Sequence, residues 1–555
     1  QRLSSASVGA IALILASEAA AQTQPPPPPQ PANVDANNVD VATRTLVLGA
    51  TDLRIGPDDH RGLQLTRQVA AHSWRLTTTP VMSGSSSNPI IVIGGRSYAF
   101  SWNGSVYVPA IQNGSSLNSG ATLFTASDGT VVQFQSVTSL TEHASAFKAA
   151  SQITFPDGVK HTFTYKSGLY QLPTLPETFE LVTRLISINS STGYQLKFNY
   201  ISNDPRNFGW RQLANVTSIN NSVEYCNPTA DNCSLIGDWP KVTFENGLTA
   251  TTKVTSPEGR RTSYGYTSGK LVSINPANGT DVGSYITYAG DKVSTVERDG
   301  TWTYSNPQSG TTKVTNPQTF ATNYAYSGAG YITSITNAKN EVTTFAYCTG
   351  TSTCPAGRVQ RITSPEQNYS TFAYDPRGNV IATTAYSKPN QTLSPITRSA
   401  SYPTSCTNPV TCNKPNHTID AKGYVTNYSW DPTHGGLTQI QLPAPATGAP
   451  RPTKSYTYNT VQARYLTGDG VWSNSGPMYV PDVTRECRTS AVCTGSADER
   501  IEDLNYLPSS IANNALATSV TVKAGNNTLS QTTALTYTSL GDLQSVDGPL
   551  GGAAD

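Results

Sequence analysis

The sequence predicts an all-β fold: an antiparallel strand spiral of stacked β-hairpins, preceded by an irregular N-terminal β region. Three observations carry this. A phrase recurs in which a turn-prone Gly or Asn leads to an aromatic–x–aromatic step. Glu258-Gly259 leads to Tyr264-Gly265-Tyr266, Asn340 to Phe345-Ala346-Tyr347, Asn368 to Phe372-Ala373-Tyr374, and Gly423 to Tyr428-Ser429-Trp430. A phrase repeated along a chain marks stacked units rather than one pocket. The composition agrees: 28 Tyr and 43 Gly stand against 2 Met, and Thr, Ser, Val and Asn recur throughout. β-Branched and aromatic side chains fit a pleated surface. Finally, no long segment beyond the N-terminus spaces its apolar residues as a helix would.

In chain order, Arg2 precedes an apolar run from Val8 to Ala16 and then Ala19-Ala20-Ala21-Gln22. A charged start, a short apolar core and small residues at a cleavage point read as a secretory signal peptide over residues 1–21. The run is shorter than the roughly 20 residues a spanning helix needs, so no transmembrane segment is expected in the mature chain. A buried core helix is the competing reading, but the following proline run leaves it nothing to pack on. The chain does not open on Met, and its true start is expected upstream. Residues 22–42, with Pro25 to Pro29, read as a Pro-rich disordered linker.

Residues 43–150 read as the N-terminal β region. Thr45-Leu46-Val47-Leu48 and Ile90-Ile91-Val92-Ile93 are buried-strand candidates. Ser97 to Trp102 alternates and reaches Asn103-Gly104, a hairpin turn signal, and Asp128-Gly129 opens another strand ending at Phe134.

Residues 151–555 read as the repeat array. Units end on the second aromatic of each pair: Tyr165, Tyr200, Tyr266, Tyr304, Tyr326, Tyr347, Tyr374, Trp430, Tyr458 and Tyr537. Gly or Asn supplies the positive φ of the turn. Alternation sends both aromatics to one strand face. A second turn, as in Thr267-Ser268-Gly269-Lys270, returns the chain along Leu271, Val272 and Ile274. One such hairpin is marginal in water; stacking hairpins buries the apolar face and pairs the open edges. The aromatics are read as core, joined through cross-strand pairs. Stacking of exposed rings on sugars is the competing reading.

Eight cysteines fall into four close pairs, Cys226/Cys233, Cys348/Cys354, Cys406/Cys412 and Cys487/Cys493. Each is read as a disulfide clipping a loop tip, which stabilises by about 2–2.5 kcal/mol in the chain-entropy model. This favours export. Zinc is the rival, but its cysteines usually stand closer, as C-x2-4-C; free thiols are the remaining alternative.

Only 13 % of residues are charged and the net charge is +1, a poor match to a nucleic-acid partner, which needs a basic stripe. Catalytic constellations are missing. None of the six histidines sits in H-E-x-x-H. Asp58-Asp59-His60 reads as a solvated loop, and His434-Gly435-Gly436 as a Gly-rich turn, with no G-x-S-x-G elbow to use it. No enzyme activity, cofactor or metal is expected in this stretch.

These units resemble the YD repeats of the Rhs family, whose loose pattern is G-x-x-x-x-[YF]-x-Y-D, a turn and an apolar return strand. Tyr374-Asp375-Pro376-Arg377-Gly378-Asn379-Val380 matches closely, and Trp430-Asp431-Pro432 matches with Trp for Tyr. Gly62-Leu63-Gln64-Leu65-Thr66-Arg67 resembles a G-L-x-L-T-R segment at the head of such proteins, and Asp128-Gly129 with Phe134 their D-G step. The Asp after the pair is often lost (Thr267, Ala289, Ser305, Ser327), and cysteine clips are not a family feature. The resemblance implies a hollow shell, in many relatives enclosing a C-terminal toxin. With neither plug nor toxin domain visible, the chain is expected to be a fragment. The functional expectation is a non-catalytic secreted or cell-surface scaffold that encapsulates or delivers its own C-terminal effector. The alternative is a cell-surface adhesin or carbohydrate-binding module, with surface glycans or a neighbouring cell as partner.

Overall fold

The computed structural model describes residues 33–70, 72–171, 178–276 and 283–550. The signal-peptide reading and the proline run lie outside the described residues. Among the described residues the protein is all-β; the one helical element is a 3-10 turn, Phe208–Arg211. No helix there is long and apolar enough to cross a membrane.

A single 36-stranded antiparallel sheet dominates. From Ser116–Leu117 to Leu543–Asp547, strands pair in chain order, each with the next. The exception is an insertion after Thr453–Val461, where Arg464–Gly468 and Val471–Asn474 form their own hairpin and Met478–Cys487 resumes the ladder. Lys148–Thr154 forks: Val81–Gly84 pairs beside Ala149, while the next strand pairs from Gln152 to Thr154. The sheet therefore runs unbroken through residue 150.

Because the strands alternate, their connections alternate between two rims. The tyrosine rim holds the turns that follow the aromatic pairs; the opposite rim holds those that precede them. The ladder comes back onto itself rim to rim. Arg358 Nε donates to the carbonyl of Gln112 (2.7 Å), 246 residues away. Asn413 Nδ2 donates to Ser127 O (3.0 Å), 286 residues away. Asn220 Nδ2 donates to Ser539 O (2.8 Å), 319 residues away. Tyr479 N–H reaches Asp157 O and Leu466 N–H reaches Asn221 O, both at 2.8 Å. In each contact the opposite rim of an early coil meets the tyrosine rim of a later one. This is a spiral whose turn takes some hundreds of residues.

A second, three-stranded sheet, Gly49–Ile55, Leu63–Ala70 and Ser73–Leu76, lies against the large one. Leu63, Leu65 and Val69 alternate inward and are buried, as are Trp74 and Leu76. They share one apolar core with Phe198, Val216, Val242 and Ile286 of the ladder. One boundary needs correction. Residues 33–42, assigned to a disordered linker, carry the strand Val39–Asp40 and bury Val39 and Val41 in that core. Val39 and Val41 supply apolar area that the proline-dominated reading of the segment overlooked. Of the N-terminal strand candidates, Thr45–Leu46 is only two residues long, while Pro89–Ile93, Arg96–Trp102 and Val131–Ser136 form as strands.

Candidate functional site

The recurring aromatic step builds a hydrogen-bonded relay. At the second aromatic the ladder slips by one residue: between Gly265 and Tyr266, Ala325 and Tyr326, Ala346 and Tyr347, Ala373 and Tyr374, Ser429 and Trp430, Thr536 and Tyr537. Such a bulge bends the strand and re-aims its side chain. The ring then crosses back over the previous strand, where its polar tip finds a backbone carbonyl. Tyr347 donates to Ile332 O at 2.8 Å, Tyr374 to Val359 O at 2.6 Å, and Trp430 Nε1 to Pro415 O at 2.8 Å. Tyr165 reaches Ala150 O (2.8 Å), Tyr200 Leu185 O (2.9 Å), Tyr326 Thr311 O (3.4 Å), Tyr458 Leu437 O (3.1 Å) and Tyr537 Ala517 O (2.8 Å).

The acceptors are not arbitrary. Ile332 is the strand partner of Tyr326, Val359 of Tyr347, Leu437 of Trp430, and Pro481 of Tyr458. Each of these four return strands thus pairs with one aromatic and accepts from the next tyrosine. Tyr288 and Tyr506 belong to the same relay, donating to Leu271 O and Pro481 O. Both were missing from the expected core aromatics. Tyr288 ends the segment Tyr285-Ile286-Thr287-Tyr288, with two residues rather than one between its aromatics; Tyr506 follows Leu504-Asn505, the same Leu–x–Tyr form as Leu535 and Tyr537.

Two expected members depart. Tyr304 has no bulge and is buried; its hydroxyl meets Asp35 Oδ2 at 2.5 Å and Asn37 at 2.9 Å. Tyr266 turns to Trp74, and burial pushes its hydroxyl up to about 12. Tyr304 thus faces the N-terminal segment and Tyr266 the small sheet, where its buried hydroxyl makes no hydrogen bond. Tyr200, Tyr304 and Tyr374 are fully buried; the other expected aromatics are half-buried.

The Asp after the pair closes the turn. Asp375 Oδ1 accepts from the Arg377 and Asn379 amides, both at 2.9 Å. Asp431 does the same for Thr433 (2.7 Å) and His434 (3.2 Å). Where Asp is lost, the Ser327 and Thr538 hydroxyls accept from the Tyr331 and Asp542 amides.

Arg67, which ends the G-L-x-L-T-R stretch, anchors the small sheet. It is 2 % exposed. Its Nε meets Asp52 Oδ2 at 2.5 Å and its Nη2 meets Asp52 Oδ1 at 3.1 Å and the Tyr264 hydroxyl at 2.8 Å. Its guanidinium lies 3.7 Å from the Trp74 ring centre. A buried cation persists where it is paired and hydrogen-bonded.

All four cysteine pairs are disulfides: Cys226–Cys233, Cys348–Cys354, Cys406–Cys412 and Cys487–Cys493, with Cα separations of 4.9–5.6 Å. Each closes a loop between consecutive strands, an arrangement compatible with an extracellular protein. The Cys226–Cys233 loop is also held by charge. Lys197 Nζ donates to the carbonyls of Asn227, Pro228 and Ala230, while Asp231 pairs with Arg184 (2.9 Å) and Lys166 (2.5 Å). Burial pulls the Lys197 ammonium down to about 8. Cys487, Cys493 and Asp498 come within ligand distance of one another. Both sulfurs are tied to each other, however, and the Asp498 carboxylate accepts from the Thr489 and Ser490 amides.

Similar solved structures exist. TcdB2-TccC3 without its hypervariable C-terminal region is 13 % identical, with a TM-score of 0.33; the match covers 85 % of this chain and 27 % of that one. The Photorhabdus luminescens Tc holotoxin pore is 13 % identical, with a TM-score of 0.32, over 93 % of this chain and 28 % of that one. This chain therefore spans little more than a quarter of those chains. A porin-like protein from Bacteroides uniformis is 14 % identical over 45 % of this chain and 94 % of its own, with a TM-score of 0.12. Scores this low carry no argument about relationship or activity. No family model and no curated protein matches the sequence.

The remaining polar clusters are seams. His60, expected in a solvated loop, is exposed but pairs with Asp157 at 2.6 Å. His434 Nδ1 accepts from the Gly436 amide at 3.1 Å, closing the Gly-rich turn. A cavity of about 380 Å³ lies beside Asp52, Arg67, Glu258, Arg260 and Tyr264, where the small sheet meets the large one.

Proposed function

We propose that this protein is a non-catalytic scaffold of the Rhs/YD-repeat kind, exported through its N-terminal leader, whose spiral sheet walls off a C-terminal effector. The observation that carries the reading is the closure of the wall in two directions. Along the spiral, the tyrosine relay binds alternate strands, such as Val342–Tyr347 and Tyr369–Tyr374, each to its predecessor. Between coils, rim-to-rim bonds such as Arg358–Gln112 and Asn413–Ser127 seal the turns. The polar atoms of the most regular side chains are spent on backbone carbonyls rather than on a pocket, and Arg67 and Asp52 spend theirs on fixing the small sheet to the large one.

The reading is tested with the full chain carrying a small folded reporter with a protease site after Asp555. The expected result is cleavage of the free reporter and survival of the fused one until the wall is denatured. Equal cleavage of both overturns enclosure. For the adhesin alternative, exposed Trp102 with half-buried Tyr107, 4.9 Å apart at a hairpin tip, is one candidate surface; a glycan array probed with the intact chain and with Trp102→Ala tests it.

A further inference from the structure

Five of the six histidines stand where separate parts of the chain meet. His60 joins the N-terminal sheet's loop to Asp157 in the first coil. His72, in the small sheet, sits edge-on to Tyr288 and 3.9 Å from Asp291. His143 Nε2 is 2.6 Å from Leu76 O, 67 residues away in the small sheet. His161 Nε2 is 2.8 Å from His60 O, 101 residues away. His434, in the second coil, stacks on Tyr479, whose amide bonds to Asp157 O of the first.

We propose that these seams form an acid-operated latch, in which protonation of His143, His161 and His434 releases the N-terminal sheet and parts the coils while the hairpin ladder stays intact.

Burial disfavours the charged ring at His143 and His434, and the bonding at His434 requires a neutral Nδ1. His143 and His161 donate to carbonyls through Nε2–H, a bond that either protonation state can make; His143 is buried and His161 half-buried. His434 accepts the Gly436 amide on Nδ1, so a proton there ejects that bond. Charges nearby do little to favour the cation. His143 faces Arg75 and has Glu142 beside it in the chain, whose carboxyl burial raises toward the neutral form. His161 faces His60 and Asp157, which already pair with each other. His434 lies between Asp431 at 3.5 Å and Lys414, with Asp157 beyond. Burial accordingly pushes His143 and His161 down to about 4 and lowers His434. A histidine with a depressed folded value binds its proton more readily once released. Closure is therefore fully stable above about 6.5 and weakens as the pH falls toward about 4. The ladder's backbone bonds hold no titrating group, so they do not follow.

Hydrogen exchange of the unmodified full chain, corrected to protection factors at each pH from 7.5 to 4, tests this. The seam amides of Gly56, which donates to Leu540 O, Trp74, which donates to Thr249 O, and Tyr479 are expected to lose at least about tenfold protection across that window, while amides within Val342–Tyr347 and Tyr369–Tyr374 keep theirs. Seam protection that persists to pH 4, or seam and ladder failing together, overturns the latch. The variant His143→Gln with His161→Gln retains an amide donor that cannot be protonated, and is expected to open at lower pH. Opening at the unmodified pH overturns the assignment to these two residues; if the variant does not fold, the unmodified profile alone decides.

Discussion

Tyr374 donates its hydroxyl to the carbonyl of Val359 at 2.6 Å, and Val359 is the strand partner of Tyr347. One carbonyl position therefore links two consecutive hairpins. Removing the hydroxyl alone, Tyr374→Phe, is expected to cost about 1 kcal/mol and leave that carbonyl buried and unmet. Tyr374→Ala, at a fully buried site, is expected to cost about 3–5 kcal/mol. Tyr424→Phe, on a half-exposed ring, is the control and is expected to change little. Chemical denaturation of the three variants measures the series.

A glycine pair separates turn geometry from coil contact. Gly378 and Gly423 both have positive φ, 85° and 84°. A Cβ on Gly378 would meet Gln112 O at 2.0 Å, whereas one on Gly423 meets nothing within 4 Å. Gly423→Ala is expected to cost about 1 kcal/mol through backbone strain alone. Gly378→Ala is expected to cost more and to expose residues 110–115 to protease, because the first coil must back away. Equal losses with no new cleavage contradict the contact.

Arg67→Ala leaves Asp52 buried and unpaired, and is expected to cost about 3–5 kcal/mol. The double variant Arg67→Ala with Asp52→Ala is expected to recover part of the loss, since no charge is then stranded. A double-mutant cycle by thermal unfolding checks the coupling.

Tyr200 contacts both Leu185 O, at 2.9 Å, and Glu142. A phenol has one proton. If it goes to Leu185, Glu142 must hold its own and donate to the Tyr200 oxygen. Burial raises Glu142 in agreement. A raised folded value means stability that is complete below about 4.5 and is lost as pH rises through the folded value. Glu142→Gln supplies a permanent donor. Its melting temperature relative to the unmodified protein is expected to improve from pH 5 to pH 8; a constant difference contradicts the protonated carboxyl.

The hairpin unit was legible because its signals are local: Gly259 and Asn340 at positive φ, the Phe372–Tyr374 step, and the apolar return at Val380. The cysteine pairs were legible for the same reason. The bulge was not, because the residue before the second aromatic is Gly, Ala, Ser, Asn or Thr and carries no signature. Nor was the docking of Val39, Val41 and Arg67, whose partners lie far away in sequence. Rim contacts use ordinary turns, such as Asn413 on Ser127, whose partners only the completed spiral supplies.

That spiral return is the central claim, and a photo-crosslinker at Ser127 tests it most directly. Ser127 lies on an opposite-rim turn, and its carbonyl accepts from Asn413 at 3.0 Å. Irradiation of the folded full chain, read by peptide mapping, is expected to join residue 127 to the peptide containing Val410 and Asn413. Cross-links confined to neighbouring hairpins between residues 113 and 136 would contradict the stacked wall.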